Sequence, residues 1–308
     1  MGTAELACAS LAALMQPPGF QVVAVVTQPD RPKGRDMKLQ PSPVKELAAR
    51  LGLPVLQPER VRQPESVQQL ADLRPDLIVV AAYGQILPPG ILALPTHGCL
   101  NVHTSLLPKY RGAAPIQWAI LEGESETGVT LMKMDAGLDT GDILNQKRTT
   151  ILATDNAQTL HDRLATLGAE LLVRTIPDWV AGKVVPEKQP AEGATYARKI
   201  TKEDGRLDWG QPAQVLSNRV RAFTPWPGAH TFQPNPAKPL LLKIWSAEVA
   251  ATVGGRAGEI IQADQHGVLI ACGKDSLRVL QLQREGGRRL NAREFLAGHE
   301  LKTGGVLG

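Results

Sequence analysis

Three cysteines in 308 residues, Cys8, Cys99 and Cys272, are too few and too far apart for a disulfide framework or a zinc site. Each reads as core packing, and the set fits a reducing cytoplasm. No run approaches the roughly 18 uncharged apolar residues of a membrane span. The opening MGTAELACASLAALMQPPG lacks the positively charged start of a secretory leader and carries Glu5, so it reads as an amphipathic helix. None of the six histidines has metal-ligand spacing, and no Gly-x-Gly-x-x-Gly follows a strand pattern, so neither a metal nor a dinucleotide is expected. Internal repeats and low-complexity tracts are absent as well.

What is present is an ordinary globular composition, 43% apolar and 21% charged, at a length that implies two domains. The net charge of +4 is unevenly spread. Residues 1–184 carry 17 Lys/Arg against 18 Asp/Glu, and residues 185–308 carry 17 against 12. A basic second half on a neutral first half fits either a polyanion-binding appendage or a solvated basic face.

In the first half, QVVAVVT (21–27), DLIVVAA (76–82) and CLNVHTS (99–105) are short, nearly continuous apolar runs, as in strands covered on both faces. Helical patterns with proline near the start lie between them, at 43–51, 64–73 and 115–121. This alternation predicts an α/β domain. Residues 128–134 and 141–150 read as further strands, and 156–176 as a long helix capped by Thr154 or Asp155. The stretch KVVPEKQPAEGA has two prolines and little periodicity, and reads as a linker. The division expected is 1–183, a linker over 184–201, and a second domain over 202–308. That second domain shows one helix (212–222) and the short strands AHTF, LLLKIWSAEV, GEIIQA, GVLIAC and SLRVLQLQ, the pattern of a small β-barrel.

The densest polar stretch is LNVHTSLLPKYRGAAPIQWAI, residues 100–120. Asn101 and His103 stand two apart on a strand and share a face. They sit at its carboxyl end, where open α/β sheets bind ligands. Bonding to neighbouring loop backbone is an equally good reading of the pair taken alone. In GLDTGDIL, Asp139 lies between two glycines, where a short acidic side chain can enter a cleft and orient a histidine, or only bond its own turn.

Together these residues resemble the folate-dependent formyltransferases. The resemblance is carried by Asn-x-His, Ser-Leu-Leu-Pro, Arg-Gly and a Leu-Asp-Thr-Gly loop 36 residues after the histidine, and it covers nearly the whole chain. It implies a Rossmann-like, mostly parallel α/β domain followed by an oligonucleotide-binding-like (OB-like) barrel. It implies formyl transfer from 10-formyltetrahydrofolate with no metal, with Asn101, His103 and Asp139 as the catalytic trio. Ser105, Leu106, Leu107 and Pro108 correspond to the tetrahydrofolate loop, and Tyr83, Gln85 and Ile86 to the lining of the pterin pocket.

The trio does not name the formyl acceptor. Relatives formylate a purine precursor or a sugar nucleotide, or hydrolyse the folate. The loop over 27–45, with Arg31, Lys33, Arg35 and Lys38, resembles the insertion with which the methionyl-tRNA-formylating branch grips the acceptor stem. Asp36 and Met37 depart from the glycine and basic residue usual there. Residues 194–209 and 221–231 resemble that branch's tRNA-binding domain, and Arg198, Lys199, Lys202 and Arg206 are its candidate phosphate contacts. Trp226, between two prolines, reads as packing. The resemblance thus implies a cytoplasmic monomer acting on initiator methionyl-tRNA. A small-amine formyltransferase and an inactive tRNA-binding protein are the rivals.

One departure remains. In the family a short apolar strand precedes Met-Gly-Thr, and proline follows it. Here Met-Gly-Thr opens the sequence and Ala4 follows, so the sheet is expected to be short of a central strand, through either an upstream start or a truncation.

Overall fold

The computed structural model describes residues 1–16, 19–33, 38–251 and 254–308. It divides into two compact units, 1–115 with 126–150 and 161–197, and 116–125 with 151–160 and 198–308. Residues 184–197, expected in a linker, are therefore part of the first unit. Backbone pairing explains this: Glu187 and Ile143 exchange two hydrogen bonds of 2.8 Å.

The first unit contains α1 (Glu5–Leu14), β1 (Val25–Val26), β2 (Arg31–Lys33), β3 (Lys38–Gln40), α2 (Pro43–Arg50), β4 (Val55–Leu56), α3 (Pro64–Asp72), β5 (Ile78–Val80), α4 (Pro89–Leu92), β6 (Cys99–His103) and β7 (Arg111–Gly112). After α5 (Pro115–Leu121), most of which belongs to the second unit, come β8 (Glu126–Lys133), β9 (Ile143–Thr150), residues 161–180 of α6 (Ala157–Val180), and β10 (Tyr196–Ala197). β5, β6, β8 and β9 form one sheet in that order, and β1 pairs with β4. The β1–β4 and β5–β6 pairs are parallel, while β8 is antiparallel to both β6 and β9. The four-stranded sheet is thus mixed, parallel at its β5–β6 edge and antiparallel through β8 and β9.

Helices cover both faces. Leu70 of α3 and Ile91 of α4 pack with Val80 and Cys99, while α6 approaches the opposite face so closely that a Cβ on Gly168 would lie 2.7 Å from a Val102 methyl. The expected helix over 156–176 runs on through Pro177 to Val180. A proline inside a helix costs about 3 kcal/mol, and burial of Leu171, Leu172 and Ile176 against the unit offsets it.

Residues 1–3 lie between β1 and β5. Gly2 N–H donates to Val26 at 2.9 Å, and Ala81 N–H donates to Met1 at 3.0 Å. Beyond them, residues 21–25 and 76–79 border a cavity of about 790 Å³, lined also by Leu11, Leu14, Leu73 and Ile176. Only Val25–Val26 of the expected 21–27 and Ile78–Val80 of 76–82 are in a ladder.

The second unit contains α7 (Ala213–Ala222), β11 (Ala229–Gln233), β12 (Leu240–Ala250), β13 (Ile260–Asp264), β14 (Gly267–Ala271), β15 (Ser276–Arg284), β16 (Leu290–Asn291) and α8 (Ala292–Gly298). Its antiparallel sheet runs β11-β12-β15-β14-β13, with β16 on β15. Residues 304–308 bond Phe232 on one edge strand, β11, and Gly258 and Ile260 at the other, which closes the sheet as the expected small barrel. Leu216 and Val220 of α7 pack into it with Leu242, Ile270 and Val279. Trp226, expected in packing, is instead 49% exposed.

Candidate active site

β6 carries Asn101 and His103 on one face, paired through its backbone to β5 on one side and β8 on the other. Its three inner neighbours Leu100, Val102 and Cys99 are buried, so the two polar side chains are fixed in a rigid strand. Both are themselves buried, as is most of the Asp139 side chain. Asp139 reaches them from the turn between β8 and β9. That turn is compact because Asp135 Oδ1 accepts from Gly137 N–H at 3.0 Å and Thr140 Oγ1 at 2.7 Å. Glycine is required at its far end: a Cβ on Gly141 would lie 1.8 Å from the Lys133 carbonyl oxygen.

The three side chains meet. Asn101 Nδ2 lies 3.4 Å from Asp139 Oδ1, and His103 Nδ1 lies 3.7 Å from Asp139 Oδ2. Oδ2 also accepts the Gly112 backbone N–H at 2.8 Å. The other imidazole nitrogen, Nε2, is 2.9 Å from the Tyr110 carbonyl. A carbonyl only accepts, so Nε2 carries hydrogen in either charge state, and any second proton is on Nδ1, facing Asp139. His103 thus bonds loop backbone, as the plainer reading of the pair has it, and also meets a carboxylate, whereas the Asn101 amide bonds Asp139. Asp139 has φ +53° and Tyr110 φ +61°. Such backbone costs about 1–3 kcal/mol per residue and persists only where surroundings enforce it.

The loop over 105–108 is held from beneath by one hydroxyl. Thr130 Oγ1 donates to the Ser105 carbonyl at 2.7 Å and accepts Leu107 N–H at 3.0 Å. Gln146 Nε2 bonds both the Leu107 carbonyl and Thr130 Oγ1 at 2.9 Å. The Ser105 hydroxyl is buried and donates to Lys109 O at 2.6 Å, so it shapes the loop, leaving Leu106 and Pro108 partly open. The segment after β5 divides similarly. Tyr83 is core, and burial pushes its phenol up to about 12. Gln85 is tied to Val61 N–H at 2.8 Å, and Ile86 is 82% exposed. Ile86 and Leu138, the neighbour of Asp139, leave apolar surface open on the loops that follow β5 and β8.

Of the basic candidates, Arg31 pairs with Glu59 at 2.9 Å, and Lys38 is exposed on β3, which pairs antiparallel with β2. Lys33 lies on β2, and Arg35 falls outside the described residues. Lys199, Lys202 and Arg206 are exposed. Arg198 is engaged within the second unit: it gives Asp204 two bonds of 2.8 and 2.5 Å and stacks over Trp118 at 5.3 Å. That pairing holds the Asp204 carboxyl well below the usual carboxylate range.

The sequence reading missed the residues that hold the site from behind. Thr195 Oγ1 accepts Tyr110 N–H at 2.8 Å. Gln189 bonds both Arg111 and the Asp139 turn. Both lie in the aperiodic stretch before β10, where no local pattern marks them. Among the described residues no group of three or more His, Cys, Asp or Glu is placed to hold a metal ion, and no helix is long and apolar enough to cross a membrane.

Residues 1–176 match the formyl transferase family, and residues 199–300 match the formyl transferase C-terminal domain. The chain belongs to the formyl transferase family. This formyl transferase is 52% identical to the methionyl-tRNA formyltransferase of Citrifermentans bemidjiense, over 100% of this chain and 95% of that one. It is equally 52% identical to that of Caldanaerobacter subterraneus subsp. tengcongensis, over 100% and 98% of the two chains. Among solved structures it is similar to the sugar 3N-formyl transferase WlaRD, at a TM-score of 0.66 and 21% identity, over 92% and 95% of the chains. HypX from Aquifex aeolicus aligns at 0.60 and 20% identity, over 92% of this chain and 49% of that one. At such identities the likeness shows the shared fold.

Proposed function

We propose that the chain transfers the formyl group of 10-formyltetrahydrofolate to the free amino group of initiator methionyl-tRNA. The observation that carries the chemistry is one carboxylate, Asp139, spanning the Asn101 amide and the His103 imidazole. The acceptor follows from the full-length identity of about one half to enzymes named for that reaction.

10-Formyltetrahydrofolate supplies an electrophilic formyl carbon and a nitrogen leaving group. The site fits it, with N–H donors set in a rigid strand and open apolar surface on the adjoining loops. As the amine nitrogen bonds to that carbon, the formyl oxygen gains negative charge. Asn101 Nδ2 and a protonated His103 Nδ1 donate to it; donors already in place need no reorganisation during the reaction. Asp139 stabilises the charged imidazole. Acting through a water molecule, it accepts the proton the amine releases and returns one to the departing folate nitrogen, so the carbon–nitrogen bond breaks with no net gain or loss of protons. Leu106 and Pro108 form the folate side of the site, together with the segment from Tyr83 to Ile86.

The tRNA is held by cations outside this site. Arg31, Lys33, Arg35 and Lys38 serve on the first unit, and Lys199, Lys202 and Arg206 on the second. Arg198 acts indirectly, ordering the segment that bears Lys199 and Lys202. The enzyme works as a cytoplasmic monomer, in keeping with its three free cysteines.

Incubating the purified chain with 10-formyltetrahydrofolate and charged initiator tRNA tests the reading. Formyl-methionine recovered from the tRNA is the expected product. Turnover with glycinamide ribonucleotide or an amino-sugar nucleotide, and none with tRNA, would overturn the acceptor assignment.

A further inference from the structure

We propose that Gln189 is a positioning residue that fixes the reach of the Asp139 carboxylate, an inference that rests on Asn101, His103 and Asp139 being the reacting trio. Both hydrogens of its Nε2 are used on the Asp139 turn, on the carbonyls of Asp139 at 2.9 Å and Gly141 at 2.8 Å. Its Oε1 accepts Nε and Nη2 of Arg111 at 3.0 and 2.7 Å. Arg111 adjoins Gly112, whose N–H holds Asp139 Oδ2 at 2.8 Å. The contacts close a ring. Asp139 is gripped by its carbonyl and by its carboxylate, and the two grips are tied together through the guanidinium.

The ring has work to do because Asp139 is left-handed, at φ +53°. Aspartate tolerates that conformation without holding it unaided. Relaxation of the turn would rotate the side chain away from His103. Gln189 can resist this because its own backbone is anchored nearby: Glu187 and Ile143 exchange bonds of 2.8 Å, and β10 pairs in register with β7, Tyr196 opposite Arg111 and Ala197 opposite Gly112. The glutamine amide offers two hydrogens to two carbonyls and an acceptor to a guanidinium on one planar group. Glutamate would keep Arg111 and lose both N–H donors.

Gln189→Glu and Gln189→Ala, made in the full chain alone and with Asp139→Asn, test the assignment. Each single Gln189 variant is expected to lower kcat by about 10- to 100-fold, as for a reacting group displaced by a fraction of an ångström. KM for both substrates should stay within about threefold. In the Asp139→Asn background, Gln189→Ala should add less than about twofold, because the group it positions is gone. A merely structural role predicts that the two losses multiply, and that result would overturn the inference, as would a rise in KM at unchanged kcat. Arg111→Lys, which keeps the charge and loses the paired donors, should fall between wild type and Gln189→Ala. Full kcat in Asp139→Asn would sink the trio and this inference with it. Full kcat in both Gln189 variants beside an impaired Asp139→Asn would remove only the role of Gln189.

Discussion

Replacing Thr130 by valine removes a single oxygen from beneath the loop over 105–108, and the structure sets the size of the effect. Thr130 is fully buried, and valine matches its shape. The hydroxyl serves Ser105 O at 2.7 Å and Leu107 N at 3.0 Å, while Gln146 Nε2 keeps its second bond to Leu107 O. Two backbone groups therefore lose a partner inside the protein. An unsatisfied buried group costs about 1–3 kcal/mol, and water reaching the loosened loop offsets part of the sum for two, so the variant should lose about 2–4 kcal/mol. That is a large share of the roughly 5–15 kcal/mol typical of a domain, yet it leaves the chain folded. The same loop carries Leu106 and Pro108, so its loosening should act on the folate side. KM for 10-formyltetrahydrofolate should rise about tenfold, equivalent to about 1.4 kcal/mol, with kcat nearly unchanged. Urea unfolding gives the first quantity and steady-state kinetics the second. A loss under about 0.5 kcal/mol together with an unchanged KM would refute the claim that Thr130 anchors the loop.

Asn101→Ala and His103→Ala should each lower kcat by about 10²–10³, the effect of deleting one donor to a developing oxyanion, in single-turnover formylation. Asp204→Asn should destabilise the second unit by about 1–3 kcal/mol through loss of the paired Arg198 bonds. The folded carboxyl of Asp204 is depressed from an ordinary value of 3.8. Its contribution is whole above that value and is lost as pH falls through the depressed one, so the difference from wild type should narrow only in strong acid, followed by denaturation at stepped pH. The triple variant Lys199→Ala, Lys202→Ala, Arg206→Ala should weaken tRNA binding and flatten its dependence on salt, with KM for the folate unchanged. An unaltered salt slope in filter binding would remove these three from the tRNA surface.

The features legible in the sequence share one property, a physical constraint that acts between near neighbours. The runs at 76–82 and 99–105 had to be buried strands because both faces are apolar, and period two then put Asn101 and His103 together. Short strands with glycine turns likewise gave the barrel. The same local logic fails where the partner is distant. It predicted seven residues for the strand at 21–27, yet a strand also needs a neighbour to bond, and only Val25 and Val26 lie in a ladder. It ended the long helix before Pro177, since local cost is all that a sequence window reveals, whereas burial of Leu172 and Ile176 in the turns before the proline holds a helix that runs on to Val180.

The stretch from 184 to 197 shows how far this limit reaches into the site. Prolines, charge and lack of period marked it as a linker, and by local criteria it is one. Its order comes wholly from residues far off in sequence: Ile143 for Glu187, Arg111 and the Asp139 turn for Gln189, Tyr110 for Thr195. A chain that pairs only with others has no periodicity to display. The groups proposed to act on substrate were legible because their own strand and turn display them. Those that hold the first group in place entered from a segment whose sequence has no local reason to be ordered. A strained aspartate between two glycines is nonetheless a sign that such support exists, because a left-handed turn aimed at a histidine cannot hold its aim alone.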